Sequence, residues 1–166
     1  TAATDPDLAV TLVYFDFDNF KPFNDTYGFR QGDRAILLFA ELLQKHFVNR
    51  SGLIGHVGGD DFFLALEGVG PEIAAEQIGS LCRNFAEDIA SFYDSEARAK
   101  GYIDATGRDG HPHRYRLMTC SAALLHVPAG RRACTPDTMM DTVAKLKKQA
   151  KAAENGMALQ ILDSAD

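Results

Sequence analysis

Two glycines followed by two aspartates, Gly58-Gly59-Asp60-Asp61, stand between the apolar segments Leu53-Ile54-Gly55-His56-Val57 and Phe62-Phe63-Leu64-Ala65-Leu66. Glycines placed there specify a tight hairpin between two strands, because a positive φ costs them little. The adjacent carboxylates are a cost that folding does not explain. They repel each other, and a turn or cap hydrogen bond easily satisfies only one of them. A cation removes the conflict, and bare glycine backbone lets an anionic ligand come close. Metal plus phosphate is the chemistry this run calls for.

The segments around the hairpin define the fold class. Val10 to Phe17 (VTLVYFDF) is rich in β-branched and aromatic residues and reads as a buried strand. Asn19 to Arg30 is polar, with Pro22 and Gly28, and predicts a short helical turn and a loop. From Asp33 to Phe47, apolar residues at Ile36, Phe39, Ala40, Leu43 and Phe47 keep helical spacing. A second helix is expected over Pro71 to Tyr93, with Pro71 in its first turn. Candidate strands near Tyr102 to Ala105 and Arg114 to His126 make an extended hairpin with its tip at Gly107 to Gly110. A third helix spans about Pro136 to Glu154, ends at Asn155-Gly156, and is followed by a strand over Ala158 to Leu162. The order β-α-β-β-α-β-α-β is that of an α/β (α+β) domain. It predicts a ferredoxin-like palm core, βαββαβ with additions, whose mainly antiparallel sheet is flanked by helices.

Bulk properties narrow the partners. The 166 residues suffice for one domain, read here as spanning 1–166, and no repeat or linker divides them. A net charge of −6 disfavours a groove for a nucleic-acid polymer, but not a nucleotide whose charge a metal offsets. No apolar run is long enough to span a membrane, so no membrane contact is expected of this domain. Thr1 to Leu8 lacks a signal peptide and looks like a cut end, suggesting a domain excised from a longer regulatory protein. Cys82, Cys120 and Cys134 match neither a disulfide framework nor a zinc pattern. They read as reduced core fillers in a cytoplasmic protein.

Strand alternation over Tyr14-Phe15-Asp16-Phe17-Asp18 puts Asp16 and Asp18 on one side and the phenylalanines on the other. Taken alone, such an aspartate is a solvated strand end or a helix cap. If the first strand lies beside the central hairpin, Asp16 comes close to Asp60. With a backbone carbonyl such as that of Phe17, the pair makes a hard oxygen site for Mg²⁺ or Mn²⁺ carrying a nucleoside triphosphate.

Four segments in order, Asp16-Phe17-Asp18-Asn19-Phe20-Lys21, Asn24-Asp25-Thr26-Tyr27-Gly28, Gly32-Asp33 and Gly58-Gly59-Asp60-Asp61-Phe62, resemble the GGDEF family of bacterial diguanylate cyclases. The resemblance is close from about Val10 to Leu66 and weaker beyond. It implies a signalling transferase that joins two GTP molecules into the second messenger cyclic di-GMP, in a transient homodimer with one GTP on each domain. By resemblance, Asp16 and Asp60 bind the metal by side chain and Phe17 by its carbonyl. Asn24 and Asp33 read the guanine edge. Backbone amides near Asn19 and Phe20, with Lys21 and Lys151, hold phosphates, and Gly59 leaves room for substrate. Asp61 stands where the family has Glu, at the position that activates the attacking hydroxyl or holds a second metal. Asp33 also reads as a helix cap, Asn24-Asp25 as turn formers and Lys21 as a surface lysine.

The sequence departs from the family in four places. Asp61 is one methylene shorter than Glu. Asn155 stands where a phosphate-binding Arg is usual, with Lys147 and Lys148 as the nearest other cations. The inhibitory Arg-x-x-Asp positions hold Asn49 and Gly52, so any product inhibition is expected at the active site itself. The family's leading Asp-x-Leu-Thr-Gly-Leu segment is absent, and the stretch between Phe92 and Met118 is long. His111-Pro112-His113 within that stretch reads as surface. Two further readings follow: a weak or inactive GGDEF module that binds GTP or cyclic di-GMP and regulates a neighbour, and another palm-type cyclase such as the CRISPR-associated oligoadenylate synthases.

Overall fold

A five-stranded sheet in the order β2-β3-β1-β6-β7 carries the molecule. The computed structural model describes residues 8–50, 52–130 and 135–162; Cys134 and most of the polar N-terminus lie outside them. The strands are β1 (Val10–Asp18), β2 (Gly52–Gly58), β3 (Asp61–Glu67), β6 (Thr119–Val127) and β7 (Met157–Ile161). β4 (Tyr102–Thr106) and β5 (Pro112–Arg116) form a separate two-stranded sheet. The helices are α1 (Phe20–Tyr27), α2 (Phe29–Phe47), α3 (Pro71–Ile89), α4 (Ser95–Lys100) and α5 (Pro136–Ala152). β1 is central, antiparallel to both β3 and β6, and β7 runs parallel to β6. This is the expected ferredoxin-like arrangement with one strand added at the edge. Among the described residues no helix is long and apolar enough to cross a membrane.

Alternation along β1 assigns its two faces. Val13, Phe15 and Phe17 are buried under α2 and α3, with Phe39, Leu43, Phe62, Ile78, Leu81 and Phe85. Leu12 and Tyr14 point the other way, into a smaller cluster around Leu125 and Leu146 that α5 covers. Aromatic packing dominates the larger core. Phe39 meets Phe15, Phe17 and Phe85 edge-on at centroid distances of 5.2 Å and Phe62 at 4.9 Å. Such pairs add to the hydrophobic gain and fix ring orientation.

Several boundaries differ from the sequence reading. The stretch from Asn19 to Arg30 is mostly helical, and α2 begins at Phe29, not Asp33. Gly28, at φ 91°, joins the helices directly while its N–H donates to the Asn24 carbonyl at 2.7 Å. The first turn of α2 carries no inward apolar pattern, since Phe29 is exposed, so periodicity could not reveal it. Asp33 is therefore the fifth helical residue and caps nothing.

The single strand expected over Arg114 to His126 is broken at Leu117-Met118. There Met118 N–H donates to the Tyr93 hydroxyl at 2.8 Å, and Leu117 N–H to the Gly101 carbonyl at 3.3 Å. Helix α3 ends at Ile89, a 3₁₀ turn follows over Ala90–Phe92, and the separate α4 starts at an Asp94 cap whose Oδ1 accepts from Ala97 N–H at 2.8 Å. Helix α5 stops at Ala152, two residues before the expected end.

Phe39→Ala is expected to cost about 3–5 kcal/mol in urea unfolding, because it removes a ring that four others pack against. Phe39→Leu should cost clearly less.

Candidate active site

The β1–β3 register sets the carboxylates. Asp16 lies directly opposite Asp61 on one side and Ser121 on the other. Asp60 occupies the turn between β2 and β3, where Gly58 pairs with Asp61. Gly59 is at φ 53°, and no atom lies within 4 Å of where a Cβ would sit, so the backbone angle, not crowding, selects glycine. Asp16, Asp60 and Asp61 each offer an oxygen within 4.8 Å of the other two. The expectation paired Asp16 with Asp60 and set Asp61 apart; the ladder makes Asp61 the direct neighbour and brings all three together.

This crowding has an electrostatic signature. Burial, with the charges of Asp16 and Asp61, pushes the Asp60 carboxyl up to about 6. Burial and then the Asp61 carboxylate push the Tyr14 hydroxyl up to about 12. Three half-buried carboxylates are a donor set suited to a hard divalent cation such as Mg²⁺ or Mn²⁺. The Phe17 carbonyl stands beside them, 3.5 Å from the Lys151 ammonium.

Helix α5 supplies cations to the same face. Lys151 Nζ lies 2.9 Å from Asp18 Oδ1 and 3.3 Å from Asp16 Oδ2. Burial works against its charge, but Asp18 and Asp16 outweigh that and hold its pKa above the usual lysine value. One turn earlier, Lys147 Nζ is 3.9 Å from Asp16 and 4.2 Å above the Tyr14 ring. Asp18 is not a solvated strand end. It accepts hydrogen bonds from the Thr119 and Ser121 hydroxyls, each at 2.8 Å. Those β6 residues carried no sequence signal, because only the strand pairing places them there.

The chain turns from β1 into α1 at Asn19, which sits at φ 60° with its Nδ2 donating to the Arg116 carbonyl at 3.2 Å. No side chain caps α1, so its first amides are available to an anion. Asn19, Phe20 and Lys21 line a cavity of about 680 Å³ that also reaches Asp16, Phe17, Asp60 and Lys151. Lys21 is paired with Asp25 at 2.6 Å. Asn24, Asp33 and Gly59 do not line that cavity. Asn24 lies against α2, its Oδ1 buried and without a hydrogen-bond partner. A Cβ on Gly32 would sit 1.8 Å from that oxygen. Gly32 thus makes room for Asn24, a requirement the sequence did not reveal. Asp33 follows it, exposed.

Another unforeseen residue is His56. Its ring stacks on Phe62 at 4.5 Å, and its Nε2 lies 2.8 Å from the Gly59 carbonyl, which requires the tautomer protonated there. It ties the carbonyl of the glycine turn to the core. Asn155 Oδ1 accepts from Met157 N–H at 3.1 Å and serves the turn into β7.

The family model for the diguanylate cyclase GGDEF domain matches residues 1–103. The probable diguanylate cyclase DgcF of Escherichia coli K12 is 39% identical over 62 residues, 37% of this chain and 19% of that protein. The bifunctional diguanylate cyclase/cyclic di-GMP phosphodiesterase MucR of Pseudomonas aeruginosa is 27% identical over 121 residues, 72% of this chain and 18% of its own length. The matched part is thus about a fifth of those relatives. Among solved structures, the active GGEEF domain of a Vibrio cholerae diguanylate cyclase superposes with a TM-score of 0.62 at 21% identity, covering 95% of this chain and 85% of that one. The GGDEF domain of Caulobacter crescentus DgcB, in complex with c-di-GMP, gives 0.61 at 18% identity, covering 93% and 78%. At these identities the superpositions speak to the fold.

Two outcomes follow from the geometry. Gly32→Ala should destabilise the protein by about 1–3 kcal/mol through overpacking, and the loss should vanish in an Asn24→Ala background. Asp60 binds its proton more tightly folded than unfolded, so in metal-free protein its ionisation costs stability as pH rises from about 4 to about 6. Asp60→Asn should therefore stabilise metal-free protein above about pH 6 and have no effect below about pH 4, measured by urea unfolding in chelator.

Proposed function

The chain belongs to the GGDEF family, and from that premise we propose that it is a diguanylate cyclase domain acting on GTP in the cytoplasm. The observation that carries this is the meeting of Asp16, Asp60 and Asp61 beside the open first turn of α1. In this reading Asn24 and Asp33 hold guanine, an amide with donor and acceptor beside a carboxylate that accepts from the ring N–H and amino group. Amides at Asn19 and Phe20, with Lys21 and Lys151, hold the phosphates, and Gly59 keeps the turn clear for them.

Asp16, Asp60 and the Phe17 carbonyl hold a divalent cation, which when bound supplies charge neutralisation on the phosphates. The 3′-OH of one GTP attacks the α-phosphorus of the other, the bond to the β-phosphate breaks and pyrophosphate leaves. In this reading Asp61 takes the hydroxyl proton. The same step in the opposite sense closes the ring, giving one cyclic di-GMP and two pyrophosphates. Each copy of the domain holds one GTP, so two must face each other.

Inhibition through an Arg-x-x-Asp site has no support in this chain. Asn49 and Gly52 occupy those positions, and a Cβ at Gly52 would meet the Ala65 carbonyl oxygen at 1.8 Å, which excludes an aspartate there. Inhibition by cyclic di-GMP is therefore expected to be competitive, and to disappear at saturating GTP.

A second reading, a module that binds GTP or cyclic di-GMP without turnover, is favoured by the diversion of Asn155 into a backbone turn. Incubation with GTP and Mg²⁺ at high protein concentration separates the two. The cyclase reading expects cyclic di-GMP from GTP and none of the corresponding product from ATP, with a loss of at least about 100-fold in Asp60→Ala. Tight GTP binding without product would establish the second reading, and product from ATP alone would overturn both.

A further inference from the structure

We propose that the β4–β5 hairpin forms a wall of the triphosphate site, with Arg108 supplying the cation that the C-terminal end of α5 lacks. The inference rests on the cyclase reading and adds a residue to it. The cavity beside Asp16 and Asp60 has two walls. One is the β1–α1 turn with Lys151; the other is the hairpin, through Gly107, Arg108, Asp109 and the His113–Tyr115 stretch. A volume of about 680 Å³ is within the range of small-molecule sites, roughly 300–1,000 Å³.

The other cations lining this cavity already have partners within the protein, so a bound phosphate would have to share them. Lys21 is paired with Asp25 at 2.6 Å, and Lys151 with Asp18 and Asp16. His113 is bound to Asp109 at 2.8 Å. Arg114 lies 3.9 Å from the Tyr102 ring centroid and 3.4 Å from Asp104. Arg108 has no side-chain hydrogen bond or ion pair among the described residues.

The turn that carries Arg108 is well tied. Gly107 N–H donates to the His111 carbonyl at 2.8 Å and Gly110 N–H to the Gly107 carbonyl at 3.0 Å. Asp109 Oδ1 accepts from His111 N–H at 3.0 Å as well as from His113. A side chain at Gly107 would meet the His113 ring at 2.4 Å, so glycine lets that ring lie over the turn.

The charge balance favours a further cation here. The floor of the cavity is acidic, and a triphosphate brings several more negative charges. Asn155 cannot offset them; it lines an adjoining cavity with Arg83 and Arg116, which shares Asn19 and Lys151 with this one. A guanidinium suits terminal phosphate oxygens, which it can bind in a bidentate way.

The test is calorimetric binding, with Mg²⁺ present, of the α,β-methylene analogue of GTP, which cannot release pyrophosphate, and of GMP. Arg108→Ala should weaken the triphosphate analogue about tenfold while leaving GMP within about twofold, and Arg108→Lys should recover most of the loss. Arg83→Ala and Arg116→Ala should change neither. Wild-type affinity for both ligands in Arg108→Ala, equal losses for both, or a triphosphate-selective loss in Arg83→Ala or Arg116→Ala would each overturn the assignment of Arg108 while leaving the site reading intact. Failure of the unaltered protein to bind either ligand would overturn the site reading, and this inference with it.

Discussion

The pairing of β1 with β3 is the constraint on which the rest depends. It puts Phe15 opposite Phe62 and Asp16 opposite Asp61. The first pair belongs to the larger core, and the second brings two carboxylates to adjacent positions on neighbouring strands. A slip of one residue would carry the phenylalanines to the α5 face and the aspartates into the core. The register is therefore held by ring packing, and the carboxylate crowding persists because undoing it would sacrifice that packing. A crowded anion site fixed by an apolar core is preorganised for a cation, since no rearrangement is needed to gather its ligands.

Helix α5 tempers the repulsion without removing it. Lys147 and Lys151, four residues apart, stand on the helix face turned toward Asp16 and Asp18. Asp18 is also held by two hydroxyls of β6, so it is satisfied within the protein and keeps Lys151 in place. Asp16 and Asp60 have no such hydroxyl donors among the described residues. The division of labour is clear: Asp18 orients a lysine, while Asp16, Asp60 and Asp61 are left as the electronegative group.

How far the sequence revealed this depends on the kind of signal. The glycine turn, the alternation of β1 and the long amphipathic helices are local, and they gave the fold class and the carboxylates. Contacts that exist only through strand pairing or helix packing left no local trace. Thr119 and Ser121 are ordinary β6 residues until β1 lies beside them, and Gly32 is an unremarkable helical glycine until Asn24 packs on it. The start of α2 escaped periodicity because its first turn is exposed. Helix α4 did carry a usable sign, an Asp94 cap with Gly101 closing the helix, hidden by the polarity of its surroundings.

The same register bears on the shortened residue of the glycine-aspartate run. An Asp carboxylate sits roughly 1.5 Å further back than that of a Glu. Asp61 starts from a β3 position directly opposite Asp16, and its oxygen already lies within 4.8 Å of those of Asp16 and Asp60. Gathering a cation therefore does not require the longer side chain. On the cyclase reading, the missing methylene would bear instead on how far Asp61 reaches toward the attacking hydroxyl, where an ångström of misplacement can cost roughly two orders of magnitude in rate. On that reading cation binding and turnover would be separable: the first would rest on β1–β3 pairing, the second on the reach of one side chain.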